Sequence, residues 1–577
     1  MCFIVSSFIM LEKIVETKSC KQCGISFDIT DKDMAFYDKI TPVFNGTKFQ
    51  IPTPTLCPDC RQQRRLSFRN ERKLYRRNCD ATGKDIISIY SPDAKYVVYD
   101  QWFRAGDQWD PMQYGQTYDT KRSFFTQRDD LNHKVPKKAM ITKWSENSQY
   151  TNDANYDKNC YLCFGLDHSE DCYYVSLWVM NKFCMDSFWL TESQQSYECL
   201  ESCRMFDCQY CSYSIDCSNC FGCHTCTNCS NCFGCASLDN KSYCIFNEQY
   251  TAEEYTSRLQ KKFANKKISE LIQEIQAFYL TKPRQALSIT MSESCLGVDI
   301  KNCKNANRCF HIGKSNDVKY CYDVFDIHNC YDVTISNEAS ERIYECQTAV
   351  WPVYRSAFCS FVTEHIRDCY YCADCSICSH CFGCVWLQNK EYCILNKQYT
   401  REEYEIEIWK IIWKMMSDWE RWEFFPSSIS PFGYNETTAQ EYFFLTKNDA
   451  LARWYKRQDN EYPINIPGNA QTIKAQDLPP NVQDITDEIL NKVIVCEMTW
   501  RPFRIIKPEL EFYRKHNLPL PRKHPDQRHL ERMQLRNSRK MRDRNCAKCW
   551  ADIKTTYAPS RPEIVYCETC YNTVTYW

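Results

Sequence analysis

At 577 residues, 25% charged and with a formal net charge of −1, the chain is too long for one core, and on usual domain sizes it divides into roughly three to five units. Its 41 cysteines call for an explanation. The length excludes the small secreted fold that needs disulfides in place of a core, and no stretch approaches the roughly 20 apolar residues that cross a bilayer.

The chain opens on MCFIVSSFIM, which is apolar but lacks a basic n-region, a long enough h-region and a small-residue cleavage site. No signal peptide is expected, Met10 reads as the more natural start, and residues 1–9 need not be translated. The expected compartment is cytoplasmic and reducing. Residues 1–110 read as an N-terminal zinc-binding module, because Cys20-x2-Cys23 and Cys57-x2-Cys60 supply four thiolates. A closed shell of four leaves no position for water, so the expected zinc is structural.

After a connector at 111–144, residues 145–250 form a cysteine repeat. In CSNCFGCHTCTNCSNCFGC, residues 217–235, every third residue is cysteine, and Cys160, Cys172, Cys184, Cys208, Cys220, Cys232 and Cys244 are spaced by multiples of 12. A fixed period of about 12 predicts a narrow β-solenoid with small side chains stacked inside. The alternatives for these cysteines are an iron–sulfur cluster, additional zinc or disulfides. Cys217-x2-Cys220-x2-Cys223 matches the opening of a ferredoxin motif, but the x3-Cys-Pro that should follow does not. The period is similar to that of the narrow β-helix of certain insect antifreeze proteins, whose threonine ladder is absent here.

Residues 251–283 are expected to be a capping helix opened by Thr251-x-x-Glu254, with Leu259, Phe263, Leu271, Ile272 and Ile275 packing on the repeat before it. Residues 284–399 repeat the pattern. A shift of 149 lays Cys160 on Cys309, Cys172 on Cys321 and Cys220 on Cys369, with Cys309, Cys321, Cys369, Cys381 and Cys393 on the same period. A second helix at 400–425 starts at Thr400-x-x-Glu403 and carries Ile408, Ile411, Ile412, Met415, Trp419 and Trp422 on its packing face. Residues 426–495 read as an irregular segment and linker.

Residues 496–577 read as a C-terminal zinc-binding module with Cys546-x2-Cys549 and Cys567-x2-Cys570 as ligands. Shifts of 467 and 476 lay the N-terminal segment on this one: Cys79 falls on Cys546 and Cys20 on Cys496, but their companion cysteines fall on Thr, Asp, Phe, His and Gln. An ancestral module with two zinc sites, of which each copy kept a different one, explains the pattern, and leaves Cys79 and Cys496 as packed remnants. The expected fold is therefore mixed, mainly β: two tandem solenoid repeats, each followed by a helix, flanked by duplicated zinc-ribbon or treble-clef modules.

The segment CKQCGISF, then FY, a Pro-containing loop and CPDCR resembles a zinc-binding domain of zinc-ribbon or treble-clef type found in many uncharacterised bacterial proteins. The whole layout resembles zinc-ribbon, cysteine-repeat proteins of candidate-phyla bacteria. The resemblance implies zinc at Cys20, Cys23, Cys57 and Cys60 and no catalysis.

Charge is segregated. Residues 57–84 carry 9 Lys/Arg against 3 Asp/Glu and residues 496–550 carry 15 against 6, so the remainder is acidic. Arg-rich helices beside zinc suit RNA or DNA backbone contacts through Arg61, Arg64, Arg65, Arg69, Arg72, Arg76 and Arg77, and through Arg528, Arg532, Arg536, Arg539, Arg542 and Arg544. The competing reading pins these arginines to the acidic repeats of the same chain. A protein partner is the other expectation; a membrane is not. With no Walker loop, Rossmann fingerprint, HExxH or nucleophile elbow, the sequence points to a non-enzymatic scaffold, with an iron–sulfur redox protein or a thiol-rich metal store as the alternative.

Overall fold

A computed structural model describes residues 12–337, 343–350, 353–361, 364–420, 422–460, 462 and 470–575, so the question of residues 1–9 lies outside the described residues. The class is mixed, with 25% helix and 29% strand. No helix among the described residues is long and apolar enough to cross a membrane.

From Thr142 to Ile245 the chain forms a parallel ladder in which each residue pairs with one 12 further on: Glu146 with Lys158, Lys158 with Glu170, and so on to Ser218 with Ser230. From Asp153 to Phe246 every third residue, including Tyr213, Asp216, Asn219, Thr225 and Asn228, has a left-handed φ, between +48° and +68°. Each coil therefore has four short sides of three residues: one side chain buried inside, one residue bridging to the next coil, and one at a corner.

This geometry explains the cysteines. The bridging N–H donates to the next coil (Phe221 to the Cys232 carbonyl, 2.9 Å) and the corner N–H to the previous one (Gly222 to the Gln209 carbonyl, 2.8 Å). Neither arrangement serves the N–H of the inward residue, which must find a side chain one coil back. Cys226 donates to Ser214 Oγ at 3.1 Å, and Cys223 to Cys211 Sγ at 3.4 Å. That side chain must also place its own proton, and Cys220 Sγ reaches the Ser218 carbonyl at 3.3 Å. The interior thus favours small residues that both donate and accept, serine and cysteine, with Leu166, Val175, Leu190 and Met205 filling other inward positions. Ser187, Ser193, Ser196, Ser202 and Ser214 occupy such positions, Ser196 at the place where the 12-residue cysteine series skips. No disulfide joins the described cysteines.

The second ladder, from Ile289 to Ile394, departs from the expected strict period. Phe310 pairs with Tyr322 at 12 residues, but Tyr331 pairs with Tyr344, Gln347 with Ser360 and Ala357 with Tyr370 at 13. Three such coils move the chain by three residues, which is one side of the coil. Cys369 therefore stays buried but lies one side away from the column of Cys321, although the two are a multiple of 12 apart.

Each ladder ends in an antiparallel return, Cys244 opposite Gln249 and Cys393 opposite Gln398. Both predicted capping boxes are present at Thr251/Glu254 and Thr400/Glu403. The first predicted helix is two, Ala252–Asn265 and Ile268–Leu280. Leu271 and Ile275 of the second are buried, with Ile275 laid over the Cβ-free corners Gly222 and Gly234, whereas Phe263 is half exposed and touches Phe221 and Phe233 edge-on. The second helix, Arg401–Ser417, buries Ile408, Ile411, Ile412 and Met415 as expected. Trp422 is buried beyond its end, but Trp419 is exposed, because the helix stops two residues before it.

The end segments are built from matching parts. The strand Ile14–Ser19 and helix Asp31–Ile40 have counterparts in Lys492–Val495 and Lys507–Lys515; the helix Pro58–Leu66 and hairpin Tyr75–Asn78/Asp85–Ser88 have counterparts in Pro525–Gln534 and Arg542–Asn545/Asp552–Thr555. They dock crosswise. The N-terminal helix Asp31–Ile40 stacks Phe36 on Tyr331 and sets Tyr37 edge-on to Tyr344 of the second ladder, and Lys507–Lys515 sets Tyr513 against Tyr197 of the first.

Candidate metal centres and arginine clamps

Cys20 and Cys23 sit in the turn of the Ile14–Ser19/Ser26–Thr30 hairpin, Cys57 is the N-cap of the Pro58–Leu66 helix, and Cys60 lies in its first turn. In the C-terminal module Cys546 and Cys549 follow Arg542–Asn545, and Cys567 and Cys570 open the helix Glu568–Thr575. Within each set the four sulfurs lie within 4.8 Å of one another, and these are the groups among the described residues that could hold a metal ion.

One thiol in each set is biased toward the thiolate. Cys23 and Cys57 Sγ are 3.7 Å apart, and Cys20 Sγ accepts the Cys57 N–H at 3.3 Å. The hydrogen bond from Cys60 outweighs burial and pulls Cys57 down to about 5, while Cys60 itself is pushed far up. In the other set Cys549 and Cys567 Sγ are 3.7 Å apart. Desolvation there is overcome by the N–H groups of Cys549, Cys567 and Lys548, and Cys546 is held at about 6. Four thiolates converging at this spacing are a soft, closed donor set that suits Zn2+ or an iron–sulfur centre.

Cys79 and Cys496 sit in the same turn without a metal donor set. All four turns close identically: Gly24, Gly83, Trp500 and Trp550 donate to the carbonyls of Cys20, Cys79, Cys496 and Cys546 at 2.8–3.1 Å. Cys79 Sγ accepts the Asp100 N–H at 3.2 Å and Cys496 Sγ the His524 N–H at 3.2 Å. Asp100 and His524 cap the following helices through their side chains, and hydrogen bonds with Thr82 and Thr499 join those from the backbone in overcoming burial to hold both thiols low.

The arginines come to rest differently from phosphate-binding residues on a free helix. The helices end at Leu66 and Gln534, so Arg69, Arg72, Arg76, Arg77, Arg536, Arg539, Arg542 and Arg544 lie beyond them. Arg61, Arg64, Arg65, Arg69, Arg528, Arg532, Arg536 and Arg539 are buried. Arg61 and Arg65 converge on Asp332, at 2.8 and 3.5 Å, and Arg64 reaches Glu345 at 2.7 Å. In the other half Arg528 and Arg532 converge on Asp186, and Arg532 reaches Glu198 at 2.9 Å. Arg69 pairs with Glu71 and Asp153, Arg536 with Glu201, and Arg539 with Asp323 at 2.6 Å. Arg72 is half-buried and donates to Ser176 Oγ at 2.6 Å.

The carboxylates Asp153, Asp186, Glu198, Glu201, Asp323, Asp332 and Glu345 all occupy left-handed corners of the ladders, from which their side chains reach the docked helices. Sequence reading did not single them out. The signal was there: each immediately precedes an inward position of the three-residue pattern. Four of the thirteen predicted contacts lie on the end hairpins, where Arg76 is exposed beside Asp85 and Arg77, Arg542 and Arg544 are half-buried.

No known family profile and no curated protein matches the chain. Among solved structures, a chain from Desulfovibrio desulfuricans G20 whose title proposes an acetyltransferase is 11% identical, with a TM-score of 0.09. The match covers 41% of this chain and 65% of that one, so this chain spans less than two thirds of that neighbour, and a likeness this low carries no argument.

Proposed function

We propose that the protein is a non-enzymatic, zinc-dependent scaffold: two treble-clef-like modules, copies of one ancestral two-site module, each holding one structural Zn2+ and clamped by buried arginines onto tandem narrow β-solenoids. The observation that carries the reading is the convergence of Cys20, Cys23, Cys57 and Cys60, and of Cys546, Cys549, Cys567 and Cys570, each from a hairpin turn and a helix start, into a set of sulfurs within 4.8 Å. A cysteine knuckle facing a helix N-terminus is a geometry that closes around a tetrahedral ion. The ladder cysteines belong to a different category in this reading. Most of their sulfurs are engaged with backbone carbonyls of their own and the next coil, as Cys217 is with those of Ile215 and Cys226 at 3.4 and 3.5 Å.

The arginines serve the scaffold itself. Eight of the thirteen are buried against carboxylates of the same chain, which favours self-docking over nucleic acid as their role. A nucleic-acid partner would be met by Arg76, Arg77, Arg542 and Arg544 on the end hairpins. Metal analysis of anaerobically purified protein tests the reading: about two zinc ions per chain and no visible absorbance are expected. Iron with acid-labile sulfide, or many soft ions per chain, would replace it with the redox or metal-store alternative.

A further inference from the structure

One buried region breaks the rule that the clamps establish. A cavity of about 40 Å3 lies where the Phe124–Lys134 helix, the strand Lys137–Lys138, the second ladder and the segment after Trp422 meet. Arg128 and Lys137 line it and are 3% and 2% exposed. Lys138 is on the same wall, and Arg104 stacks nearby between Trp109 and Trp386. Facing these four cations among the described residues is one lining carboxylate, Asp374, with Asp129 on the helix beyond, and none of the four makes an ion pair within 4 Å there, whereas each of the eight buried clamp arginines has a carboxylate in reach.

We propose that this cavity is a binding site for one small monovalent anion, between chloride and formate in size. Donors remain available there. The Arg128 guanidinium rests over the Phe425 ring, and its buried Nε meets no hydrogen-bond acceptor. Lys137 Nζ has one partner, Asn132 Oδ1 at 2.5 Å, out of the three it can serve. A buried guanidinium without a carboxylate in direct contact is costly, and a bound anion reduces that cost. About 10–15 Å3 suffices for one water, so the space accommodates an ion of this size but not a nucleotide or a sugar phosphate. Burial, only partly offset by the attraction of Asp374 and reinforced by Arg128 and Arg104, holds Lys137 down to about 7, the direction expected of a site short of negative charge. Because four segments line the cavity, the ion would tie the N-terminal module and connector to the second ladder.

Bromide is the probe. In crystals of the full-length wild type grown with sodium bromide, an anomalous peak is expected in contact with Arg128 and Lys137, and Arg128→Gln should abolish it. A cavity holding only water while bromide appears at the surface overturns the proposal. In solution, the melting temperature of the wild type should rise saturably with bromide or formate when gluconate, too large for the cavity, keeps ionic strength constant. Arg128→Gln should lose that rise. Lys137→Met provides a second test should Arg128→Gln fail to fold. Equal responses of wild type and variants would overturn the site. All variants should retain the metal load of the wild type, which separates this test from the zinc reading.

Discussion

Cysteine stands in two arrangements in two regions of this molecule, and the backbone decides which. In the end modules a hairpin turn and a helix start bring four sulfurs within 4.8 Å of one another. In the ladders the sulfurs are strung along columns, each offered a carbonyl two residues back, as for Cys220 and Ser218 at 3.3 Å, and another in the next coil. A thiol whose neighbours are carbonyls acts as a small hydrogen-bonding hydrophobe; one whose neighbours are other thiols at a helix N-terminus acts as a ligand. Cysteine count alone therefore says nothing about metal load.

The largest effect should come from breaking the ligand sets. Cys57→Ser or Cys567→Ser is expected to lower the metal content by one ion per chain and to melt the corresponding module. Structural zinc contributes about 10–16 kcal/mol in isolated fingers, and much of that coupling is lost with one ligand. Cys223→Ser in the ladder should leave metal content unchanged. A ladder variant that loses metal, or a knuckle variant that does not, would erase the distinction.

The two regions are joined by the clamps, and the next largest effect should be there. Arg528→Met leaves Asp186 and Glu509 buried with less positive charge, and should cost about 3–5 kcal/mol in chemical unfolding. Adding Asp186→Asn should recover part of that loss, because the uncompensated carboxylate is removed. If the double variant is no more stable than Arg528→Met, the pair is not the link between module and ladder.

Inside the ladder, Asp157 tests what the interior tolerates. Its Oδ1 accepts the Ser169 N–H at 2.8 Å, the task that Asn181, two coils on, performs for Ser193 at 3.2 Å. Burial, helped by the nearby Cys160, raises Asp157 to about 8 from its ordinary 3.8. The sign follows: the folded state holds a proton that the unfolded state releases, so this group lowers stability as pH rises from about 4 to about 8, and has no further effect above that. Asp157→Asn should stabilise the protein by on the order of 2 kcal/mol at pH 7 and flatten this part of the pH profile. A profile unchanged by the substitution would show that the carboxylate is not confined to the interior.

Much of this was legible because chemistry with a fixed spacing leaves a fixed spacing in sequence. The ligand sets, the 12-residue pairing and both capping boxes follow from positions alone. What stayed hidden depended on three-dimensional compensation. The 13-residue coils between Tyr331 and Tyr370 escape notice because three of them return cysteine to an inward position. The carboxylate corners look like ordinary acidic surface until the modules dock on them. Trp419 fits a helical spacing with Trp422, yet the helix ends at Ser417 and only Trp422 reaches the core.

The smallest effect should come from the knuckles at Cys79 and Cys496, and it bears most directly on how the two arrangements of cysteine are related. Cys79 and Cys496 keep the turn, the hydrogen bond from the helix start and the left-handed closing residue of the metal sites, while Thr82 and Thr499 stand where the second cysteine would be. A hydroxyl bonded to the thiol is worth about 1 kcal/mol, far below a metal site. Thr82→Ala and Thr499→Ala should each cost about that much, without changing metal content. Thr82→Cys together with Asp100→Cys should leave the turn intact and bring three sulfurs together, with Phe103 where a fourth would stand. Added zinc should then raise the melting temperature of this variant but not that of the wild type. A cost of several kcal/mol for Thr82→Ala, or no response of the cysteine variant to zinc, would mean that the knuckle was rebuilt around hydrogen bonds and is no longer a metal site lacking only its ligands.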